Sequence, residues 1–282
     1  MIKCFEQQRV SAARIMVVGC GALGNEVLKN LVLLGVEHLV VVDFDIVEMG
    51  NLSRSILFLP SDAEQKRLKV EVVAERLKTI NPAVEVKTIC GDVAYDVGLG
   101  LICQQDVVIG CVDNRWARYC INRLCMRAGI PWVDGGIEEL EGTARVFMPG
   151  ENCYACSLGP EGVKDLARRM PCSGIIRRHE VAGSAPTTSV VASVIGAVQV
   201  QEAMKLLHKE ALENGELTSL CGGVDGGLVD AALHLLEVLV REHLARRVLI
   251  VSCHLHRLLG VGNAHARTQQ RVREGVSAVK GT

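Results

Sequence analysis

Short apolar segments alternate with segments of helical periodicity along the first half of the chain. The apolar segments predict five strands of the kind that are buried on both faces, at 14–20, 38–44, 85–93, 106–113 and 130–137. The periodic segments predict helices between them, at 25–35, 64–82 and 116–129, and Gly35 and Pro82 end the first two. This alternation predicts an α/β fold with a Rossmann-like, doubly wound and mostly parallel sheet.

The pattern changes after the fifth strand. Residues 141–150 read as a hairpin strand, and a Cys-x-x-Cys turn and an arginine-rich loop then precede a long apolar helix at 189–207. The segment 228–244 fits a helix or a strand equally well, because short apolar runs do not distinguish the two. We therefore expect a Cys-rich, crossover-loop extension of the same domain over 151–262 and a disordered tail over 263–282.

Composition and charge exclude several classes of partner. The chain has 282 residues, of which 49% are hydrophobic, so it can bury a sizeable core. A net charge of −1 gives no general attraction to nucleic acid or to an anionic membrane, and an aromatic content of 3% argues against base stacking. Polar residues interrupt the helix at 189–207, which predicts a packed helix and not a membrane span.

Cysteine usage favours a cytoplasmic location. Twelve cysteines are present, and ten of them lie in apolar strand and helix patterns, where a free thiol packs as a small hydrophobe. No basic stretch followed by an apolar one precedes the first strand, so we expect no signal peptide. A reducing compartment is the expectation that fits both observations.

A glycine turn joins the first strand to the first helix. Gly19, Gly21 and Gly24 form the pattern G-x-G-x-x-G, which lets backbone N–H groups and the helix N-terminus approach a phosphate. Asp43 closes the second strand, where its carboxylate can accept hydrogen bonds from ribose hydroxyls. Asp45 fits either a binding residue of the same site or an ordinary loop acid. The turn predicts a bound nucleotide without specifying which.

Three cationic or amide side chains and one further acid extend this site. Arg54 can hold two phosphate oxygens in a fixed fork, Asn51 can add an amide donor, and Lys69 can add a point charge. Asp113 ends the fourth strand at the carboxyl edge of the sheet, where it can bind a metal ion. Each cation alone would be typical of a solvated surface, but the combination predicts a nucleoside triphosphate with Mg²⁺.

Three segments carry a family resemblance. VVDFDIVEMGNLSRSILF (41–58), LKVEVVAERLKTINP (68–82) and CVDNRWARYCIN (111–122) resemble the ThiF–MoeB family of ubiquitin-activating-type adenylyltransferases, and the resemblance extends over about residues 6–210. It implies an ATP-binding adenylation region over 1–150. It also implies adenylation of the C-terminal glycine of a ubiquitin-like or sulfur-carrier protein, and a homodimer.

The same resemblance implies a role for each site residue. Asp43 would hold the ribose, Asn51, Arg54 and Lys69 the phosphates, and Asp113 the magnesium ion. In such a reaction a carboxylate attacks the α-phosphorus and expels pyrophosphate. Catalysis then requires charge neutralisation and alignment, and no protein nucleophile.

Cys153 and Cys156 form a Cys-x-x-Cys pair after the hairpin. Half of a tetrahedral zinc site explains this spacing better than a redox pair, because no thioredoxin-like strand and helix surround it. The resembling proteins supply a second Cys-x-x-Cys near the C-terminus, and this chain offers Cys253 and His256 in a Cys-x-x-His instead. Two other candidates remain for these last ligands: Cys221 and His254.

Cys172 is the candidate nucleophile. It follows Pro171 in a loop that contains five basic side chains: Arg168, Arg169, Arg177, Arg178 and His179. Neighbouring cations lower the pKa of a thiol and raise its thiolate fraction. Resembling proteins that go beyond adenylation carry a cysteine in this stretch, which takes the carrier as a thioester or builds a persulfide link. The alternative is a structural cysteine in a protein that only adenylates.

Some features depart from the family, and other functions compete. Many resembling proteins have an arginine before the first strand that reaches the partner subunit's ATP site, and neither Arg9 nor Arg14 stands at that position.

An NAD-dependent oxidoreductase would leave Arg54, Lys69 and Asp113 unexplained. A tRNA-modifying dehydratase-like adenylyltransferase is disfavoured by the Cys-x-x-Cys, and a non-catalytic subunit of an activating heterodimer by the phosphate-binding residues.

Overall fold

Six strands form one mixed sheet. Their bounds are Arg14–Val18 (β1), His38–Val42 (β2), Glu85–Ile89 (β3), Val107–Gly110 (β4), Trp132–Glu138 (β5) and Glu141–Phe147 (β6). The spatial order is β3-β2-β1-β4-β5-β6, with β1 to β5 parallel and β6 antiparallel to β5. The predicted doubly wound, mostly parallel sheet is confirmed.

The computed structural model describes residues 6–208, except 140, 152, 160–161, 163, 165 and 167–186. These residues belong to one compact unit that spans Met1–Leu228. The sequence-based expectations for 228–244 and for the tail at 263–282 lie outside the described residues. The helices are Gln7–Ala12 (α1), Ala22–Leu33 (α2), Pro60–Glu64 (α3), Lys69–Ile80 (α4), Leu99–Ile102 (α5), Arg115–Ala128 (α6) and Ser189–Leu207 (α7). Short 3₁₀ helices occupy Met49–Asn51 and Tyr154–Ser157.

The hydrophobic core lies on both faces of the sheet. Ile15 and Val17 of β1 belong to one cluster, which also contains residues of α2, α4 and α7, whereas Met16 and Val18 belong to a second cluster with residues of α6. Successive side chains of a strand point to opposite faces, so a strand covered on both sides must be apolar throughout. This explains why the central strands appear in the sequence as unbroken apolar runs.

The helix predicted over 64–82 is shorter than the periodicity indicates. It begins at Lys69, because the residues before it make a turn in which Lys66 has a φ of +50°. Leu68 then forms a β-bridge with Ile46, and the backbone carbonyl of Arg67 accepts a hydrogen bond from Val47 N at 2.8 Å. These contacts hold the chain extended up to Lys69 and place this residue in the first turn of α4.

The cysteine prediction is correct for some residues and wrong for others. Four described cysteines of the sheet and its helices are buried: Cys20, Cys111, Cys120 and Cys125. Cys90 and Cys103 are exposed. Cys90 follows β3, which forms the open edge of the sheet, and Cys103 ends the short helix α5. None of the described elements covers either thiol.

Helix α7 is long and apolar enough to cross a membrane by length and composition alone. It nevertheless packs against α2, β4, β5 and β6 and buries three polar side chains, Gln199, Glu202 and Lys205. The Lys205 ammonium donates to the Glu202 carboxylate at 2.8 Å. These contacts are those of a core helix, as the sequence predicts.

Candidate functional site

The three glycines of the turn after β1 have different surroundings. Gly19 has a φ of +99°, and a Cβ atom there would overlap the carbonyl oxygen of Cys111. A Cβ atom on Gly24 would overlap the carbonyl oxygen of Gly19, whereas a Cβ atom on Gly21 would have nothing within 4 Å. Gly21 is the N-cap of α2, and within the described part of the chain no side chain caps the N–H groups of the first turn. Those groups are therefore free to bind an anion at an open surface.

Asp43 is fixed against this turn. Its Oδ2 accepts a hydrogen bond from Cys20 N at 2.6 Å, and its Oδ1 accepts one from Asp45 N at 2.8 Å. Burial raises the pKa of the Asp43 carboxyl, although the nearby Lys69 ammonium acts in the opposite direction. Each carboxylate oxygen has a second lone pair, so Asp43 can still accept hydrogen bonds from ribose hydroxyls.

Lys69 reaches the same edge of the sheet through Asp45. Its Nζ donates to Asp45 Oδ2 at 2.7 Å, and its backbone N–H donates to the Asp45 carbonyl at 3.0 Å. Burial lowers the pKa of Lys69, but the carboxylates of Asp43 and Asp45 outweigh it and hold the pKa above the ordinary value. A buried ammonium that stays charged is thus available for a phosphate, and Asp45 acts as its anchor.

Arg54 and Asn51 lie in the loop between β2 and α3. Asn51 Oδ1 accepts a hydrogen bond from Glu48 N at 3.0 Å, which leaves its amide nitrogen without a partner among the described residues. Arg54 donates from Nη1 to the carbonyl of Gly50 at 2.9 Å. No described carboxylate pairs with its guanidinium group. Both side chains therefore have donors available for a ligand.

Asp113 follows the end of β4 and is exposed. The turn that leads to it is tied to β1, because Cys111 N donates to Val18 O at 2.8 Å. Within the described part of the chain, no group of three or more His, Cys, Asp or Glu side chains could hold a metal ion. One carboxylate suits Mg²⁺ that arrives with a nucleotide, because such a magnesium ion takes its other ligands from phosphates and water.

The sheet topology brings these residues to one edge. Strands β2, β1 and β4 are adjacent and parallel, so Asp43, the glycine turn and Asp113 emerge side by side at their carboxyl ends. The order of the strands reverses between β1 and β4, which is where open α/β sheets bind ligands. Arg14 begins β1 at the opposite end, and Arg9 donates to the carbonyl of Leu207 at 3.2 Å. Neither supplies a cation to this edge.

Sequence reasoning missed several buried polar residues that shape the site. Asn25 bonds the glycine turn to the Arg54 loop, and Gln199 of α7 donates from Nε2 to the carbonyl of Gly110 at 2.9 Å, where β4 ends. Asp134 of β5 accepts a hydrogen bond from Arg118 Nε at 3.0 Å, and burial raises the pKa of Asp134 to about 6. The only sign of each in the sequence is a polar residue within an apolar segment.

The cysteine predictions lie mostly outside the described residues. Cys153 and Cys156 are described, and their Sγ atoms are 2.8 Å apart in a turn that Asn122 holds by accepting a hydrogen bond from Tyr154 N at 2.9 Å. Burial raises the pKa of Cys153, but hydrogen bonds from Cys156 outweigh it and lower the pKa overall. The remaining candidates are not among the described residues: Cys172, Cys221, Cys253, His254 and His256. The zinc site and the nucleophile therefore stay predictions.

Comparisons with known proteins agree with this geometry. The ThiF family model matches residues 2–221. The SAMP-activating enzyme E1 of Haloferax volcanii is 34% identical over 204 residues, which cover 72% of this chain and 70% of that protein. The molybdopterin-synthase adenylyltransferase of Escherichia coli is 32% identical over 203 residues, which cover 71% and 75% respectively.

A solved structure shares the fold. The crystal structure of Escherichia coli MccB with ATP matches with a TM-score of 0.57 at 23% sequence identity. The match covers 72% of this chain and 58% of MccB, so this chain spans less than two thirds of that protein. At this level of identity the likeness supports the Rossmann-like architecture alone.

Proposed function

This chain belongs to the ThiF family, and we propose that it uses ATP and Mg²⁺ to adenylate the C-terminal glycine of a ubiquitin-like or sulfur-carrier protein. The observation that carries the proposal is the cluster at the carboxyl edge of the sheet. There an uncapped helix N-terminus, Asp43 and the buried Lys69 ammonium meet, with an Arg54 guanidinium that no described carboxylate neutralises. One of the two relatives is named an activating enzyme and the other an adenylyltransferase, which supports adenylation as the reaction proposed for this chain.

Adenylation places a carboxylate beside a polyanion, so its main barrier is electrostatic repulsion. The N–H groups at the start of α2, Arg54, Asn51 and Lys69 would neutralise and orient the phosphates, while Asp43 holds the ribose. The carrier carboxylate then attacks the α-phosphorus, and pyrophosphate leaves. Mg²⁺ held by Asp113 would supply further neutralisation of the phosphate oxygens when it is bound with the nucleotide.

A second step would transfer the carrier to Cys172. The thiolate attacks the carbonyl carbon of the acyl adenylate, a thioester forms, and AMP leaves. The basic residues around Cys172 support this step because they favour a thiolate. We further propose a structural zinc ion held by Cys153, Cys156, Cys253 and His256. We also propose a homodimer, which the family resemblance supports, and a cytoplasmic location, which the cysteine usage supports.

The test is ATP–pyrophosphate exchange with candidate carrier proteins that end in glycine. We predict that Arg54→Ala or Asp113→Ala lowers exchange by about 10²-fold or more, the usual effect of losing one electrostatic partner of a transition state. The control is Arg127→Ala, which removes an exposed arginine from the last turn of α6, at the end remote from Asp113. Calorimetry that finds tight NAD binding and no Mg·ATP binding would contradict the proposal.

A further inference from the structure

We infer that Asn25 is a positioning residue, which holds the loop that carries Arg54 against the glycine turn so that both contact one triphosphate. The inference rests on the proposed function. Asn25 lies in the first turn of α2 and is fully buried. Its Nδ2 donates to the carbonyls of Cys20 at 2.8 Å and Gly21 at 3.0 Å, and its Oδ1 accepts from Leu57 N at 2.9 Å.

Among the described residues, this contact is the one hydrogen bond that ties the Arg54 loop to α2. Apart from the bond from Leu57 N, every hydrogen bond that residues 48–59 make with described residues stays within 48–63. The local turn bonds, such as Arg54 N to Asn51 O at 3.1 Å, fix the shape of the loop without fixing where it lies. The Asn25 side chain therefore sets the distance between the Arg54 loop and the phosphate-binding N–H groups.

Leu57 and Phe58 also anchor the loop, because both side chains are buried in the core. Apolar contact is not directional, so it holds the loop against the core but does not orient its backbone as a hydrogen bond does. The side-chain amide of Asn25 adds a directional contact, because this one planar group forms hydrogen bonds both with the glycine turn and with the Arg54 loop. A displacement of about 1 Å at a site of charge neutralisation can cost about 10²-fold in rate.

The first experiment needs no nucleotide. Asn25→Leu keeps the branching of the side chain and removes all three hydrogen bonds, so we expect faster amide hydrogen exchange in a peptide that covers residues 54–59, with α6 unchanged. The matched control is Asn30→Leu, which alters a partly exposed asparagine of the same helix whose side chain makes no hydrogen bond to another described residue. Unchanged exchange in the 54–59 peptide of Asn25→Leu would overturn the inference, whatever the protein binds.

The second experiment measures coupling during adenylation. We expect Asn25→Leu to lower kcat of ATP–pyrophosphate exchange by about 10²-fold with a smaller change in KM for ATP, because alignment is lost more than binding. If Asn25 acts through Arg54, the double variant Asn25→Leu/Arg54→Ala should lose far less kcat than the fold-losses of the two single variants multiplied together. The double variant Asn25→Leu/Lys69→Ala should lose the full product of the two single fold-losses in kcat, because Asp45 anchors Lys69 independently of Asn25.

Each outcome points to one conclusion. If the kcat loss of Asn25→Leu changes equally in the Arg54→Ala and Lys69→Ala backgrounds, the positioning role is overturned. The proposed function would remain intact. An unmodified protein that neither binds Mg·ATP nor exchanges pyrophosphate would contradict the proposed function, and the hydrogen-exchange result would still report whether Asn25 holds the loop.

Discussion

At the scale of single residues, the three glycines of the turn after β1 are not all required for the same reason. Gly19 and Gly24 leave no room for a side chain because the protein's own backbone occupies the space. Gly21 has open space in front of its Cα atom. Its own φ of −71° is one that any L-residue adopts. The fold therefore requires two of the glycines, whereas only a ligand would require the third.

This difference gives a prediction with an internal control. Gly24→Ala should prevent correct formation of the turn and destabilise the protein by several kcal/mol, because the methyl group overlaps the Gly19 carbonyl. Gly21→Ala should leave the melting temperature nearly unchanged and yet abolish Mg·ATP binding, because the methyl group occupies the space of a phosphate. Thermal unfolding and calorimetry measure the two effects. A Gly21→Ala variant that binds Mg·ATP normally would place the phosphates elsewhere.

The sequence alone predicts where the candidate site residues that follow strand ends will lie. Asp43 and Asp113 can be predicted because strand ends are visible in the apolar pattern and parallel strands share an edge. The partners of Asn25 and Gln199 cannot be predicted, since each bonds backbone groups that are distant in the sequence. Asp45 shows the same limit, because its bond to Lys69 depends on where α4 begins.

At the scale of elements, the sheet order follows from the sequence more directly than the helix boundaries do. Alternating strands and helices have few right-handed arrangements, and the observed order is one of them. The start of α4 depends on competing contacts, because Leu68 is bridged to Ile46 and the Arg67 carbonyl accepts from Val47 N, and both contacts keep the chain extended before Lys69. Hydrophobic periodicity carries no information about such competing contacts, so the helix predicted over 64–82 is too long.

A buried ion pair joins β5 to α6 and should give the protein a characteristic pH dependence. The pKa of Asp134 is raised to about 6, chiefly by burial, and exceeds the value of about 3.9 in an unfolded chain. The folded state therefore binds this proton more tightly. The resulting stabilisation is complete below pH of about 4 and is lost as the pH rises through about 6, an effect of about 3 kcal/mol at most.

Replacing Asp134 by Asn removes that titration. We expect the free energy of unfolding of the unmodified protein to fall, relative to Asp134→Asn, between pH of about 4 and about 6.5. Denaturant titrations of both proteins across this range provide the measurement. If the free energies of unfolding of the two proteins differ by a constant amount across this range, the Asp134 carboxyl does not titrate there. Arg118 would then hold it ionised throughout.

At the scale of the whole molecule, we predict that zinc ties the Cys-x-x-Cys turn to the C-terminal region. Metal analysis of protein purified without added zinc should find one zinc ion per chain, and Cys153→Ser should reduce it. Cys103→Ser is the control, because that thiol is exposed and follows α5. Well-folded protein without zinc would contradict the site, and zinc that persists undiminished in His256→Ala would exclude His256 as the fourth ligand.

The last prediction separates the two chemical steps. Adenylation requires only the site at the sheet edge, whereas covalent capture of the carrier requires a thiolate that reaches the adenylate. We therefore expect Cys172→Ala to keep ATP–pyrophosphate exchange near normal and to abolish a reductant-sensitive carrier adduct on gels. The controls are Cys111→Ala and Cys125→Ala, because both thiols are buried and burial raises their pKa. An adduct that persists in Cys172→Ala would place the nucleophile elsewhere, and no adduct in the unmodified enzyme with its proper carrier would indicate adenylation alone.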